Sequence, residues 1–118
     1  MKLSGQAQLL RIFIGDSDRH HGRPLHEVIV ETARRNGLAG ATVLHGAMGF
    51  GAHSRIHTAR ILRLSEDLPV VIEIVDQPDR IRAFLPELEG LIAEGMVTLQ
   101  AVDVILYRAG NVNTGADA

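Results

Sequence analysis

Residues 46–63, GAMGFGAHSRIHTARILR, concentrate side chains suited to holding an anion. Gly46, Gly49 and Gly51 carry no Cβ, so the backbone there is free to approach a ligand, take positive φ and converge its amide N–H groups on negative charge. Arg55, Arg60 and Arg63 supply guanidinium forks that match phosphate or carboxylate. His53 and His57 add nitrogens that titrate near neutral pH, and Ser54 and Thr58 add hydroxyls. Neighbouring strands are usually joined by about two to five residues, so a stretch this long reads as a functional loop. Gly49, Gly51, His53, Arg55, His57 and Arg60 are its expected effector-binding residues. The same composition also suits a solvated loop whose glycines only turn the chain. The spacing is neither a P-loop, since GK[ST] is missing, nor a dinucleotide fingerprint, since no strand–glycine–helix context surrounds it.

Other candidate chemistry is thinner. His20, His21 and His26 offer imidazoles for zinc, copper or nickel, with Asp16 and Asp18 near in sequence. Adjacent His20 and His21 do not easily point the same way, however, so solvated loop histidines are the preferred reading. His53 and His57 form an i, i+4 metal pair only on a helix. Arg23 places a cation before a helix start, where it answers either a bound anion or Glu27. Glu73, inside VVIEIV, requires a partner such as Arg11 or a position facing an intersubunit cleft, and Asp103 poses the same question. Nothing supplies a nucleophile with an oxyanion hole. Ser17, Ser54 and Ser65 lack an elbow context, so the chain is not expected to be an enzyme and no cofactor is indicated.

Composition narrows the field further. The 118 residues leave room for one domain. Three Phe, one Tyr and no Trp cannot build a stacking platform for single strands, and a net charge of −2 argues against nucleic acid. The absence of cysteine removes disulfides, thiolate metal sites and cysteine nucleophiles. No apolar run approaches the ~20 residues of a membrane span, and no signal-peptide core is visible, so a cytoplasmic location is expected. Eleven of the twelve basic residues are arginine, a bias that phosphate recognition or a GC-rich genome explains equally.

The elements that must position these groups follow from periodicity. Residues 9–14 (LLRIFI) read as a strand that breaks at Gly15-Asp16-Ser17-Asp18. Pro24 suits a first helical position, and Leu25, Val28, Ile29, Thr32 and Ala33 form one helix face, with Arg34 and Arg35 in the last turn and Gly37 as stop. Residues 41–48 read as a second strand, and residues 61–64 as its short return. Residues 70–76 (VVIEIVD) are apolar enough to be central. Pro78 opens a second helix whose stripe is Ile81, Phe84, Leu85, Leu88, Leu91 and Ile92, with a kink or break expected at Pro86 and a stop at Gly95. Residues 96–107 form the last strand. It carries Val97, Leu99, Ala101 and Ile105 on one face and Val102, Val104 and Leu106 on the other. The expected fold is α+β, a ferredoxin-like βαββαβ sandwich with a four-stranded antiparallel sheet and two helices on one face. The domain spans residues 1–110, with a frayed tail at 111–118. Because both faces of the last strand are apolar, self-association is expected to cover the open one.

The strings FIGDSDRHHGRPLHE, GAMGFGAHSRIHTARILRLSEDLPVVIEIVD and VTLQAVDVILY resemble the domain of unknown function 190 family, small proteins grouped with the nitrogen-regulatory P-II-like proteins. The resemblance runs over roughly residues 5–108. It implies a homotrimer packing three sheets into a central core, a mobile loop at about 50–62, and adenine nucleotides or similar effectors in the clefts between protomers. It also implies a protein partner, often a membrane transporter. In classical P-II proteins the loop after the second helix carries a glycine and basic residues for phosphate. Here the matching residues, Ala93-Glu94-Gly95-Met96-Val97, keep only the glycine, and the loop at 50–62 contains no tyrosine to modify. The alternative is a divalent-metal-binding trimer related in architecture to the cation-tolerance proteins.

Overall fold

The computed structural model describes residues 3, 5–51, 57–58 and 67–110, the pair 57–58 by its backbone. Strand β1 spans Gly5–Gly15, β2 Arg19–His20, β3 Arg23–Pro24 and helix α1 Leu25–Arg35. Strand β4 (Thr42–His45) follows, then β5 (Met48–Gly49) and β6 (His57–Thr58). Strand β7 is Pro69–Asp76, helix α2 Pro78–Leu91 and β8 Met96–Val104. The main sheet is antiparallel throughout in the order β4-β7-β1-β8. Each helix therefore joins two strands with a third inserted between them, the split βαβ arrangement of a ferredoxin-like fold.

The period-2 pattern explains the layers. Leu10, Ile12 and Ile14 of β1 and Val70, Ile72 and Ile74 of β7 point to one face and are buried beneath both helices. Ile29 and Ala33 of α1 meet them there, as do Ile81, Phe84 and Leu88 of α2. β7 is central as expected, but only alternate residues are buried. The other face of the sheet carries no helix among the described residues. β8 is uncovered on both sides, with Met96 54%, Val97 39% and Leu99 45% exposed.

Helix α1 ends as its sequence indicates. Gly37 takes φ +75° and its N–H donates to Arg34 O, while Leu38 N–H donates to Ala33 O. That is a Schellman stop, which favours glycine. Pro24 lies one residue outside the helix, extended at φ −56°, ψ 128°. Arg23 pairs chiefly with Glu31, two turns up, through two 2.8 Å hydrogen bonds, and Glu27 is at 3.6 Å. These bonds hold the Glu31 carboxyl below its ordinary range. A carboxyl lowered in the folded state stabilises above its unfolded pKa, and that contribution is lost as pH falls through the folded value. Glu31→Gln should therefore flatten the acid limb of the melting curve below about pH 4.5 relative to the parent, as thermal melts from pH 7 to 3 would show. The pair is half-exposed, so the difference should shrink in salt.

Several boundaries differ from the sequence pattern for identifiable reasons. Residues 41–48 do not form one strand: β4 stops at His45, because β7 begins at Pro69, which has no N–H to extend the ladder. Met48 and Gly49 pair with Thr58 and His57 instead. Residues 61–64, expected as a return strand, lie outside the described residues, as does the tail at 111–118. β8 ends at Val104, opposite Gly5, where β1 begins. Helix α2 runs unbroken through Pro86. Pro86 and Arg82 are exposed, so water can satisfy the Arg82 carbonyl that the ring deprives of a donor. The helix ends at Leu91, before Gly95. No helix among the described residues is long and apolar enough to cross a membrane.

Candidate functional site

The chain leaves the main sheet at His45 and re-enters it at Pro69, and both points are fastened to the turn that follows β1. Gly46 N–H donates to Pro69 O at 2.7 Å, and Asp16 N–H to Leu68 O at 2.8 Å. Ser17 N–H donates to Asp67 Oδ1 at 2.8 Å. His45 Nε2 donates to Asp16 Oδ1 at 3.1 Å. The turn itself is closed by Asp18, whose carboxylate accepts Gly15 N–H at 3.0 Å and whose carbonyl accepts Leu25 N–H at the start of α1. A single turn thus holds both ends of the segment 46–68.

The glycines of this region serve the crossing. A Cβ on Gly46 would lie 2.7 Å from Pro69 Cγ, and one on Gly49 3.0 Å from the same atom. None of Gly46, Gly49 and Gly51 takes the positive φ that glycine permits. Gly51 is exposed, and no atom of the described residues lies within 4 Å of where its Cβ would be. His57 contributes its backbone to the ladder with Gly49. His53, Arg55, Arg60 and Arg63 lie outside the described residues, as does Ser54. The described base is rich in carboxylates (Asp16, Asp18 and Asp67), each accepting a hydrogen bond. Arg19 stands beside them, its Nη1 donating to the Asp16 and Asp18 carbonyls at 3.3 Å.

The histidines are arranged differently from expectation. His21 takes φ +51° and Gly22 φ +84° in the tight turn between β2 and β3. That conformation stacks the His20 and His21 rings, centroids 4.2 Å apart, where adjacent residues were expected to diverge. His26 instead meets His45 edge to face at 5.6 Å, and its buried Nδ1 has no hydrogen-bond partner among the described residues. No group of three or more His, Asp or Glu among the described residues is placed to hold a metal ion.

Of the two strand carboxylates, Glu73 has the partner its sequence required: Arg11 Nε donates to Glu73 Oε2 at 2.9 Å on the helix-free face. Asp103 was expected to be paired as well. It is exposed on the edge strand and has no ion-pair partner among the described residues, since water solvates it there. Two residues that matter were not singled out by sequence reasoning. Asp67 fastens the exit of the segment, and its signal was turn chemistry opposite Gly15-Asp16-Ser17. Asp76 is wholly buried before α2, and its signal was an acidic residue just ahead of a helix-initiating proline.

At the opposite end of the sheet a hollow of about 360 Å³ is lined by Thr42, Glu73, Val75, Leu106 and Tyr107, among others. Tyr107, the chain's single tyrosine, donates its hydroxyl to Ala39 O at 3.4 Å there.

The DUF190 family model, described as an uncharacterized ACR, matches residues 7–104. A UPF0166 protein of Aquifex aeolicus is 38% identical over 98 residues, which cover 83% of this chain and 92% of the relative. A UPF0166 protein of Methanocaldococcus jannaschii is 36% identical over 87 residues, 74% of this chain and 80% of the relative. Among solved structures, CPII from Thiomonas intermedia K12, a nitrogen regulatory PII-like protein bound to ADP, AMP and bicarbonate, superposes with a TM-score of 0.58. The identity is 17%, over 84% of this chain and 88% of that one. A proposed PII-like signalling protein from Thermus thermophilus gives a TM-score of 0.60 at 19% identity, over 89% and 94%. At these identities the likeness is one of fold.

Proposed function

This chain belongs to the DUF190 family, and on that premise we propose that it is a P-II-like regulatory protein. In this reading it is a homotrimer that binds a small anionic effector, such as an adenine nucleotide, in the clefts between protomers. It signals through the segment at about 50–62, which a protein partner (a membrane transporter, for example) reads. The observation that carries this reading is the fastening of residues 46–68 at both ends to one turn. With its ends held, the segment answers an effector by rearranging between fixed points, without disturbing the sheet behind it. Arg55 and Arg60 clamp the anion, Gly49 and Gly51 bring backbone close to it, and His53 and His57 add polar contacts. The shared fold with a protein that holds ADP, AMP and bicarbonate supports the choice of effector class.

Isothermal titration with ADP, AMP, ATP and bicarbonate tests it. The parent should show saturable binding of at least one, and the Arg55→Ala, Arg60→Ala double variant should bind it at least tenfold more weakly, about 1.4 kcal/mol. Equal binding by parent and variant would remove the arginines from the site, and with them this assignment.

A further inference from the structure

The helix-free face of the sheet has a polar row set between apolar ones. Its cross-strand neighbours run Leu44, Val71, Phe13 and Met96 along one row, then Thr42, Glu73, Arg11 and Thr98, then Val75 and Leu9 beside Gln100. Arg11 bridges two strands at the centre. Its Nε donates to Glu73 Oε2 at 2.9 Å and its Nη1 to Gln100 Oε1 at 3.2 Å. About a third of each side chain in the ion pair remains exposed, 37% for Arg11 and 31% for Glu73. Arg11 Nη2, Gln100 Nε2 and Glu73 Oε1 have no partner among the described residues.

This composition restricts what can cover the face. An apolar partner would strip water from both ions and offer nothing in return. A charged partner would meet one of the two ions with the wrong sign. A second copy of the chain satisfies every row. It brings apolar side chains to the apolar rows, and to the polar row it brings the complements of the groups left over. Among the described residues the strands place one positive and one negative charge on this face, so copies do not repel across it.

We propose that Arg11, Glu73 and Gln100 form the register of self-assembly, with the free donors of Arg11 and Gln100 on one protomer reaching the free Glu73 oxygen of another. The proposal rests on the oligomeric reading above and adds to it which side chains decide how the sheets meet. Apolar rows alone would let the sheets slide by one repeat. A polar row that is satisfied in one alignment only fixes that alignment, as a single buried polar residue fixes the register of a coiled coil.

Light scattering after size exclusion and sedimentation velocity, at matched protomer concentrations, test it on the full chain. The parent should be one defined oligomer. Glu73→Gln and Gln100→Leu should associate at least tenfold more weakly, and Gln100→Leu leaves the ion pair within each protomer intact, so a loss there is not a folding defect. Arg11→Glu, which sets two carboxylates side by side, should be monomeric, and Arg11→Glu with Glu73→Arg should recover a single oligomer. A monomeric parent would overturn the assembly itself. A parent oligomer that Glu73→Gln and Gln100→Leu leave equally tight would overturn the register and leave the assembly standing.

Discussion

Asp76→Ala should lower the unfolding free energy by roughly 3 kcal/mol, the range for removing one partner of a buried charged network. Asp76 is 0% exposed and its two oxygens are fully used. Oδ1 accepts Gln77 N–H at 2.7 Å and Oδ2 accepts Ala39 N–H at 2.8 Å. Arg80 Nε lies 3.2 Å from Oδ1, and the same guanidinium donates to Gly37 O. One carboxylate therefore joins the end of β7, the start of α2 and the connection from α1 to β4. Alanine removes the Asp76 acceptor from the Ala39 and Gln77 amides, at a cost of about 1–3 kcal/mol each when buried, while Arg80, about a third exposed, turns to water and limits the total. Asp76→Asn keeps the shape and should recover part of the loss. In urea the alanine variant should unfold about 1–3 M earlier with an unchanged slope, compared at equal protomer concentration because assembly adds to apparent stability. A shift inside about 0.5 kcal/mol would mean that the three elements hold together without this carboxylate.

The helices and the Arg11–Glu73 pair were legible in the sequence because their causes are local or periodic. A 3.6-residue stripe ending in Arg34, Arg35 and Gly37 leaves little choice about α1. A lone carboxylate in an apolar strand demands a cation, and Arg11 stood on the strand that becomes its neighbour. What stayed hidden depends on contacts between residues far apart in the chain. Gly46 and Gly49 have the composition of an anion cradle, yet their missing Cβ atoms make room for Pro69, some twenty residues later. Gly15 likewise leaves room for the Asp67 carboxylate, which stands where a Cβ would be. Glycine tells a reader of sequence that space is short, but not whether a ligand or a proline fills it. The stacked pair of His20 and His21 was hidden for another reason: it needs positive φ at His21, a turn geometry that side-chain type alone does not announce.

Gly95 is where these two uses of glycine can be separated by experiment. It lies in the turn from α2 to β8, the position that the P-II resemblance matches to a phosphate-binding glycine. Here it adopts φ +155°, and a Cβ would stand 2.6 Å from the Phe13 carbonyl oxygen, 3.2 Å from Ile14 Cγ2 and 3.4 Å from Ile92 Cγ2. The nearest of these atoms is backbone of β1, a strand paired on both sides and unable to give way. Gly95→Ala should therefore cost roughly 3 kcal/mol with no effector present, since backbone strain of about 1–3 kcal/mol adds to overpacking of similar size. Urea unfolding followed by circular dichroism reads this directly. If glycine served phosphate alone, the variant would keep the parent's stability within about 0.5 kcal/mol and lose only nucleotide binding. The contact with Phe13 makes the opposite order the expected one: the turn fails first, and any loss of binding follows from it.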